Sequence, residues 1–453
     1  MILEFNVTNF RSIREEQTLE CWTEAVSDRF SDRIHPVGRS SYGCLPSVGI
    51  YGANASGKSN MLKALKVLSD MMLSSARIDV DEDIPYYQPY KLAAGPLKPV
   101  RFEIEYSLPG KDGEVDSRCR YELEFTAKTI LHEKLVVVSD NEEEKLVFQR
   151  GKDDTKASQL QWGADYETTM SALDLTFLPQ HTVLSASRKK PNVISVIRNT
   201  VGKLGHDLKF LGADYSIGAQ RSAVADMAVS VAKVFLPIID VGVVDAECKS
   251  KEQDPDVLKA VSQMFKTLNI PVDAFENNLN QQVSFYTTHV KDDGCKVNFS
   301  IEEESDGTQK IFSIMPSITT ALCEGAVLVI DEIERSMHPF MAEMVVKLFN
   351  DPTVNVNGAQ LIYTTHDTNL MSQDLLRKDQ IWFAEKNRQG ASRYFSLKDF
   401  DANQVNSTSP FVLWYVQGRF GGIPILDYSK ISEVMRVLSR AIQKELHKEA
   451  DNA

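Results

Sequence analysis

The sequence predicts an α/β chain: a mixed sheet with helices, an antiparallel β subdomain, and a mostly helical insertion. Three observations carry this. The buried-type run Ser47-Val48-Gly49-Ile50-Tyr51 enters a glycine-bounded loop and then a helical pattern. The apolar run Ala326-Val327-Leu328-Val329-Ile330 ends in the acidic pair Asp331-Glu332. Between them, residues 100–148 alternate apolar and charged with the period of half-buried strands.

In chain order, Ile2 to Phe10 alternates as an opening strand. Met61, Leu62, Leu65, Leu68 and Met72 recur at helical spacing, which predicts a helix over 60–72. Phe102–Tyr106, Tyr121–Phe125 and Leu135–Val138 read as antiparallel strands separated by Pro109-Gly110, Asp112-Gly113 and Asp140-Asn141. Residues 151–180 read as a polar excursion ending in the apolar Leu173–Leu178, and 185–270 as mostly helical, clearest at 223–236 and 256–268. Strands return at 283–287 and 297–301. A helix over 308–322, the acidic strand, a helix over 339–349 and strands at 360–363 and 380–384 follow. From Ser429, Ile431, Val434, Leu438, Ile442 and Leu446 form an amphipathic helix, read as packing on the core with a partner interface as the alternative. This gives four segments: 1–180, the insertion 181–282, 283–400, and a helical extension 401–453.

The net charge of −13 argues against a surface that coats nucleic acid broadly. Residues 188–233 are the exception, with eight Lys/Arg against three Asp, read as a solvated helical face or as a DNA, RNA or partner contact. Six cysteines without a C-x-x-C pair read as reduced, mostly core thiols of a cytoplasmic protein. No apolar run approaches the roughly 18 residues that span a bilayer, and the N-terminus does not read as a signal peptide.

The chemistry rests on four motifs. Gly52-Ala53-Asn54-Ala55-Ser56-Gly57-Lys58-Ser59 matches G-x-x-x-x-G-K-[ST] between a buried strand and a helix. Its backbone N–H groups and the helix N-terminus cradle phosphate; Lys58 reaches the β/γ-phosphates, Ser59 can ligate Mg²⁺, and Asn60 follows at the binding loop's edge. The predicted ligands are ATP and Mg²⁺. Asp331 would hold the metal with Ser59, and Glu332 would polarise the attacking water. Ser305, Gly307, Thr308 and Lys310, in Ser305-Asp306-Gly307-Thr308-Gln309-Lys310, open a helix about 20 residues before the acidic strand. A serine hydroxyl, a glycine and a helix N-terminus make an anion site, and the first loop already serves its own nucleotide, so this one would face a second subunit's. Thr364-Thr365-His366-Asp367 places His366 beside the acidic strand to bond the γ-phosphate or the water. Glu334 to Pro339 reads as a dimer-interface turn or a cap with Pro339 opening the helix.

With Phe5-x-Val7-x-Asn9-Phe10-Arg11-Ser12, the Ser336-Met337-His338-Pro339 run and the Gly418–Pro424 segment, these motifs resemble the stand-alone ABC-type ATPases related to SMC, RecF and OLD proteins. More closely they resemble the RloA/AbiL-like ATPases of abortive-infection and restriction-linked operons. The resemblance spans nearly the whole chain except about 150–285. It implies an ABC-type P-loop nucleotide-binding domain, a homodimer or higher homo-oligomer with two ATP molecules sandwiched head to tail, and Ser305–Lys310 acting in trans. Gln88 is the candidate for the glutamine loop. Coiled-coil arms are lacking, and no nuclease-like acidic cluster follows His366, which assigns any nuclease or toxin activity to a partner from the same operon. The expected function is an ATP-hydrolysing sensor or regulator in bacterial anti-phage defence. A RecF-like repair ATPase and a nucleotide-dependent scaffold with little turnover are the alternatives.

Overall fold

The computed structural model describes residues 1–24, 29–38, 42–108, 117–139, 141–173, 175–188, 190–212, 222–239, 242–252, 281–401, 405–406, 408–423 and 427–451. The predicted helix over 256–268 lies outside them.

The central sheet has six strands in the order Leu208–Leu211, Val327–Ile330, Gln360–Thr364, Ser47–Tyr51, Ile381–Lys386, Ser392–Ser396. The first five are parallel and the last turns back antiparallel. Both faces are covered, which is why these strands read as unbroken apolar runs. Side chains alternate between two cores: Val48, Ile50, Val327, Val329 and Ile362 point to one, and Tyr51, Leu328, Ile330, Leu361 and Tyr363 to the other. Gly49 lies under the Tyr363 ring; a Cβ there would stand 2.6 Å from it.

The helix Lys58–Ser74 packs in the first core, between this sheet and a seven-stranded antiparallel sheet. That second sheet runs 161–162, 144–151, 130–138, 117–125, 100–108, 2–8, 17–20, so the opening strand joins it rather than the central sheet. Its inner face supplies Phe5, Phe102, Tyr121 and Phe125. The buried Glu133 and Arg150 tie it to the chain at 181–183: Glu133 accepts Val183 N at 2.9 Å and the Tyr121 hydroxyl at 2.9 Å, and Arg150 donates to His181 O at 2.7 Å. Helices Asp306–Glu324 and Pro339–Asn350 cover the other face of the central sheet.

The stretch 181–282 is helical at 183–187, 195–206 and 222–235, and it also contributes strands. Leu208–Leu211 extends the central sheet beside the acidic strand, and Asp245–Glu252 pairs with Gln281–Val290 in a three-stranded sheet. Leu208-Lys209-Phe210-Leu211 is too short to show a period, so only its pairing reveals it. Glu144–Gly151 is a further strand that its flanking charges hid.

The helix Tyr428–Asp451 differs from the core-packing expectation. Ile431, Val434, Leu438 and Ile442 are 49–56% exposed, so the apolar stripe does not pack on this chain's core. Amphipathic spacing dictates a stripe, and says nothing about which surface meets it. Cys21, Cys44 and Cys119 are buried; Cys248 is partly buried, and Cys295 and Cys323 are exposed. Among the described residues no helix is long and apolar enough to cross a membrane.

Candidate active site

The parallel strands deliver three loops to one edge. The Gly52–Ser59 loop leaves Ser47–Tyr51, the acidic pair leaves Val327–Ile330, and the histidine leaves the strand between them. This is where open α/β sheets bind ligands. Asn54, Ala55, Gly57, Lys58, Ser59, Asn60, Glu332, His366 and Lys386 line a cleft of about 360 Å³.

The loop wraps by backbone conformations that favour glycine: φ is 148° at Gly52 and 112° at Gly57, with Ala55 also left-handed at 62°. Lys58 folds back to donate to Gly52 O at 2.9 Å and Ala53 O at 3.2 Å. Burial pulls its ammonium down to about 8, against Glu334, Glu332 and Asp331, which hold the charge up. The His366 ring lies over it, with Nε2 at 3.1 Å and Nδ1 at 3.3 Å. Burial and then Lys58 lower the imidazole's proton affinity, against Glu334, Glu332 and Asp331, which raise it.

Ser59 and Asp331, far apart in sequence, meet: the Ser59 hydroxyl donates to Asp331 Oδ1 at 2.8 Å. Thr364 donates to the same oxygen at 2.6 Å and accepts Glu332 N at 2.8 Å. Two hard oxygen donors beside a phosphate loop fit Mg²⁺, which takes one or two protein ligands and completes its shell with phosphate and water. Among the described residues no group of three or more His, Cys, Asp or Glu side chains is placed to hold a metal ion. Glu332 has φ 54°, which turns its carboxylate from the strand line into the cleft, 4.0 Å from His366 Nε2.

Residues distant in sequence hold the loop. Asn60 Nδ2 donates to Ser12 Oγ at 2.6 Å, Ser12 to Ser392 Oγ at 2.7 Å, and Ser392 to Ser56 O at 2.6 Å. The Tyr394 hydroxyl donates to Gly57 O at 2.6 Å, and Ala53 N donates to Gly422 O at 2.8 Å. Ser392, Tyr394 and Lys386 carry no motif, and Thr364 and Gly422 lie in segments singled out for other reasons; for Lys386 the one available signal was its place at the end of a core strand. Asn60 lines the cleft with its amide committed to Ser12, and the buried Ser56 hydroxyl has no partner.

The Ser305 segment lies apart from this cleft. Ser305 caps the helix Asp306–Glu324, accepting Thr308 N at 3.2 Å, and Gly307 packs 3.5 Å (from its would-be Cβ) against Ser336 O. Lys310 is buried. Gln88 does not line the cleft either; its carbonyl accepts Arg11 N at 2.7 Å and so holds the N-terminal turn. In the basic 188–233 stretch, Arg188 donates to Leu73 O, Arg198 to Val193 O, Lys203 to Gly325 O, and Lys209 to Glu324.

A glycine-bounded strand-loop-helix turn, a hydrogen-bonded Ser–Asp pair, a following glutamate and a neighbouring histidine at one edge of a mixed sheet are the arrangement of a P-loop ATPase domain of the AAA type. The chain belongs to the family described as "AAA domain, putative AbiEii toxin, Type IV TA system", whose model matches residues 47–167 and 217–372, more than half of the chain. No curated protein matches it. Among solved structures it is similar to the SMC head domain from Thermotoga maritima, at 13% identity and a TM-score of 0.36, covering 87% of this chain and 98% of that one. It is also similar to the recombination mediator protein RecF-ATPrS in the RecFOR pathway, at 12% identity and a TM-score of 0.36, covering 87% and 98%. Likenesses at this level carry no functional weight.

Proposed function

We propose that this protein is a Mg²⁺-dependent ATP hydrolase that acts as an ATP-switched regulator of a partner effector, a nuclease or toxin, in bacterial anti-phage defence. The observation that carries the ATPase reading is the convergence of Lys58, Ser59, Asp331, Glu332 and His366 on one cleft. Lys58 and the loop N–H groups bind the β/γ-phosphates. Ser59 and Asp331 hold the metal, which supplies charge neutralisation on the phosphates when bound. Glu332 takes the proton of the attacking water, and His366, beside it, orients that water or the γ-phosphate. The defence reading rests on the family and on the RloA/AbiL-like resemblance.

Ser305, Gly307, Thr308 and Lys310 stand outside the chain's own cleft, which supports a composite site: the capped helix faces ATP held by a second copy, and two copies close on two nucleotides. ATP closes the pair, hydrolysis opens it, and the effector reads the difference. A RecF-like role has less support, because much of the basic stretch is already bonded to the protein itself. The test is the mass in solution of Glu332→Gln with and without ATP and Mg²⁺, beside wild-type turnover. ATP-dependent association of a variant that binds but does not hydrolyse is expected; a monomer with ATP bound would remove the composite site.

A further inference from the structure

We propose that Glu334 is a positioning residue for His366: its carboxylate clamps the backbone of the histidine loop and so sets where the imidazole stands over Lys58. Its kinetic consequences rest on the ATPase reading, and the clamp itself rests on hydrogen-bond geometry.

Glu334 lies three residues beyond Asp331, on a turn rather than in a helix. Two left-handed residues, Glu332 at φ 54° and Ser336 at φ 60°, bend the chain around it, with Arg335 N donating to Glu332 O and Met337 N to Glu334 O, each at 3.0 Å. Non-glycine residues in that region are strained and persist where the surroundings hold them. The bend returns the Glu334 carboxylate toward the central sheet. There Oε1 accepts the backbone N–H of His366 at 2.7 Å, and Oε2 accepts the Thr365 hydroxyl at 2.7 Å. Thr365 Oγ1 in turn accepts Asp367 N at 2.9 Å. With Thr364 bonded to Asp331, three successive residues of the histidine loop are tied to the acidic turn.

Helix capping does not account for this carboxylate, because His338 caps the following helix, accepting Phe340 N at 3.3 Å. Nor does Glu334 line the cleft, so it acts through another residue. The polar contacts of the His366 ring among the described residues are to side-chain ends, the Lys58 ammonium and, at 4.0 Å, the Glu332 carboxylate. Its placement therefore comes from its backbone, and a carboxylate-to-amide bond is among the stronger ways to hold one. Displacement of a reacting group by about 1 Å can cost 10²-fold in rate.

The experiment measures ATP turnover, ATP affinity and amide hydrogen exchange on the full chain with Mg²⁺, for wild type, Glu334→Ala, Glu334→Gln, His366→Ala and the Glu334→Ala/His366→Ala double variant. Glu334→Ala should lower kcat roughly 10- to 100-fold with KM within about 3-fold. Glu334→Gln keeps one oxygen for His366 N and can donate to Thr365 Oγ1, so it should recover most of the loss. In the His366→Ala background, Glu334→Ala should add little, since two residues acting as a unit are not additive. Exchange over 364–367 should accelerate in Glu334→Ala. Wild-type kcat in Glu334→Ala, a loss of ATP binding in step with kcat, or the same loss repeated without His366 would each overturn the proposal. A wild type without turnover would sink the ATPase reading instead; the clamp then stands or falls on exchange, and an unaltered 364–367 segment would overturn it.

Discussion

Lys58 illustrates how a single residue links burial to ligand binding. It is 5% exposed and its ammonium is held near 8, so the free protein loses that proton as pH rises through about 8. Phosphate favours the protonated form and pushes the bound value up. ATP affinity should thus be flat below pH 7 and fall above 8, and binding at pH 8.5 should take up roughly 0.5–0.8 of a proton. Calorimetry in two buffers of different ionisation enthalpy reads this directly; no uptake would mean that Lys58 is already charged throughout. Thr364 is the second residue-scale case. Its hydroxyl serves Asp331 and Glu332 N together, so Thr364→Val, equal in shape, should cost about 1–3 kcal/mol in chemical denaturation and lower kcat more than it alters ATP affinity.

At the scale of elements, the phosphate loop is held by the edge hairpin. Ser392 and Tyr394 lie on the antiparallel strand at the sheet's edge and bind the carbonyls of Ser56 and Gly57. Tyr394→Phe, and separately Ser392→Ala, should weaken ATP binding by about 0.5–1.5 kcal/mol, a few-fold in Kd, with the chemical step less affected. Equilibrium nucleotide titration checks it, and unchanged affinity in both would show that the loop holds its own shape. The helix Tyr428–Asp451 makes the opposite case. Its stripe is exposed, so deleting residues 428–453 should move the thermal midpoint of the dilute protein by less than about 2 °C. A larger drop would mean that the stripe is covered.

At the scale of the whole molecule, the position of the Ser305 helix decides whether one copy is complete. Ser305→Arg adds bulk and charge at a helix N-terminus outside the cleft. It should bind ATP with wild-type affinity and fail to hydrolyse it, and turnover should return when it is mixed with Lys58→Ala, since each would supply what the other lacks. Wild-type turnover in Ser305→Arg alone would place the catalytic site within one chain.

The sequence by itself determined the phosphate-loop motif and its place beside the acidic strand. Gly52–Ser59, Asp331-Glu332 and His366 are contiguous motifs, and the apolar runs before them could only be buried strands ending at a common edge. It also determined the antiparallel sheet, because period-two alternation at 102–106 and 121–125 survives without knowing the partners. Tertiary structure alone decided what depends on residues far apart in the chain. Ser392 and Tyr394 reach the phosphate loop across 336 and 337 positions, and Glu334 reaches His366 across 32. The short strand Leu208–Leu211 is defined by its neighbour Val327–Ile330, and the C-terminal stripe is exposed although its spacing matches a core-facing helix. Periodicity and local motifs report what one segment can bury or bind; which partner a hydrogen bond or an apolar face meets is a property of the folded chain.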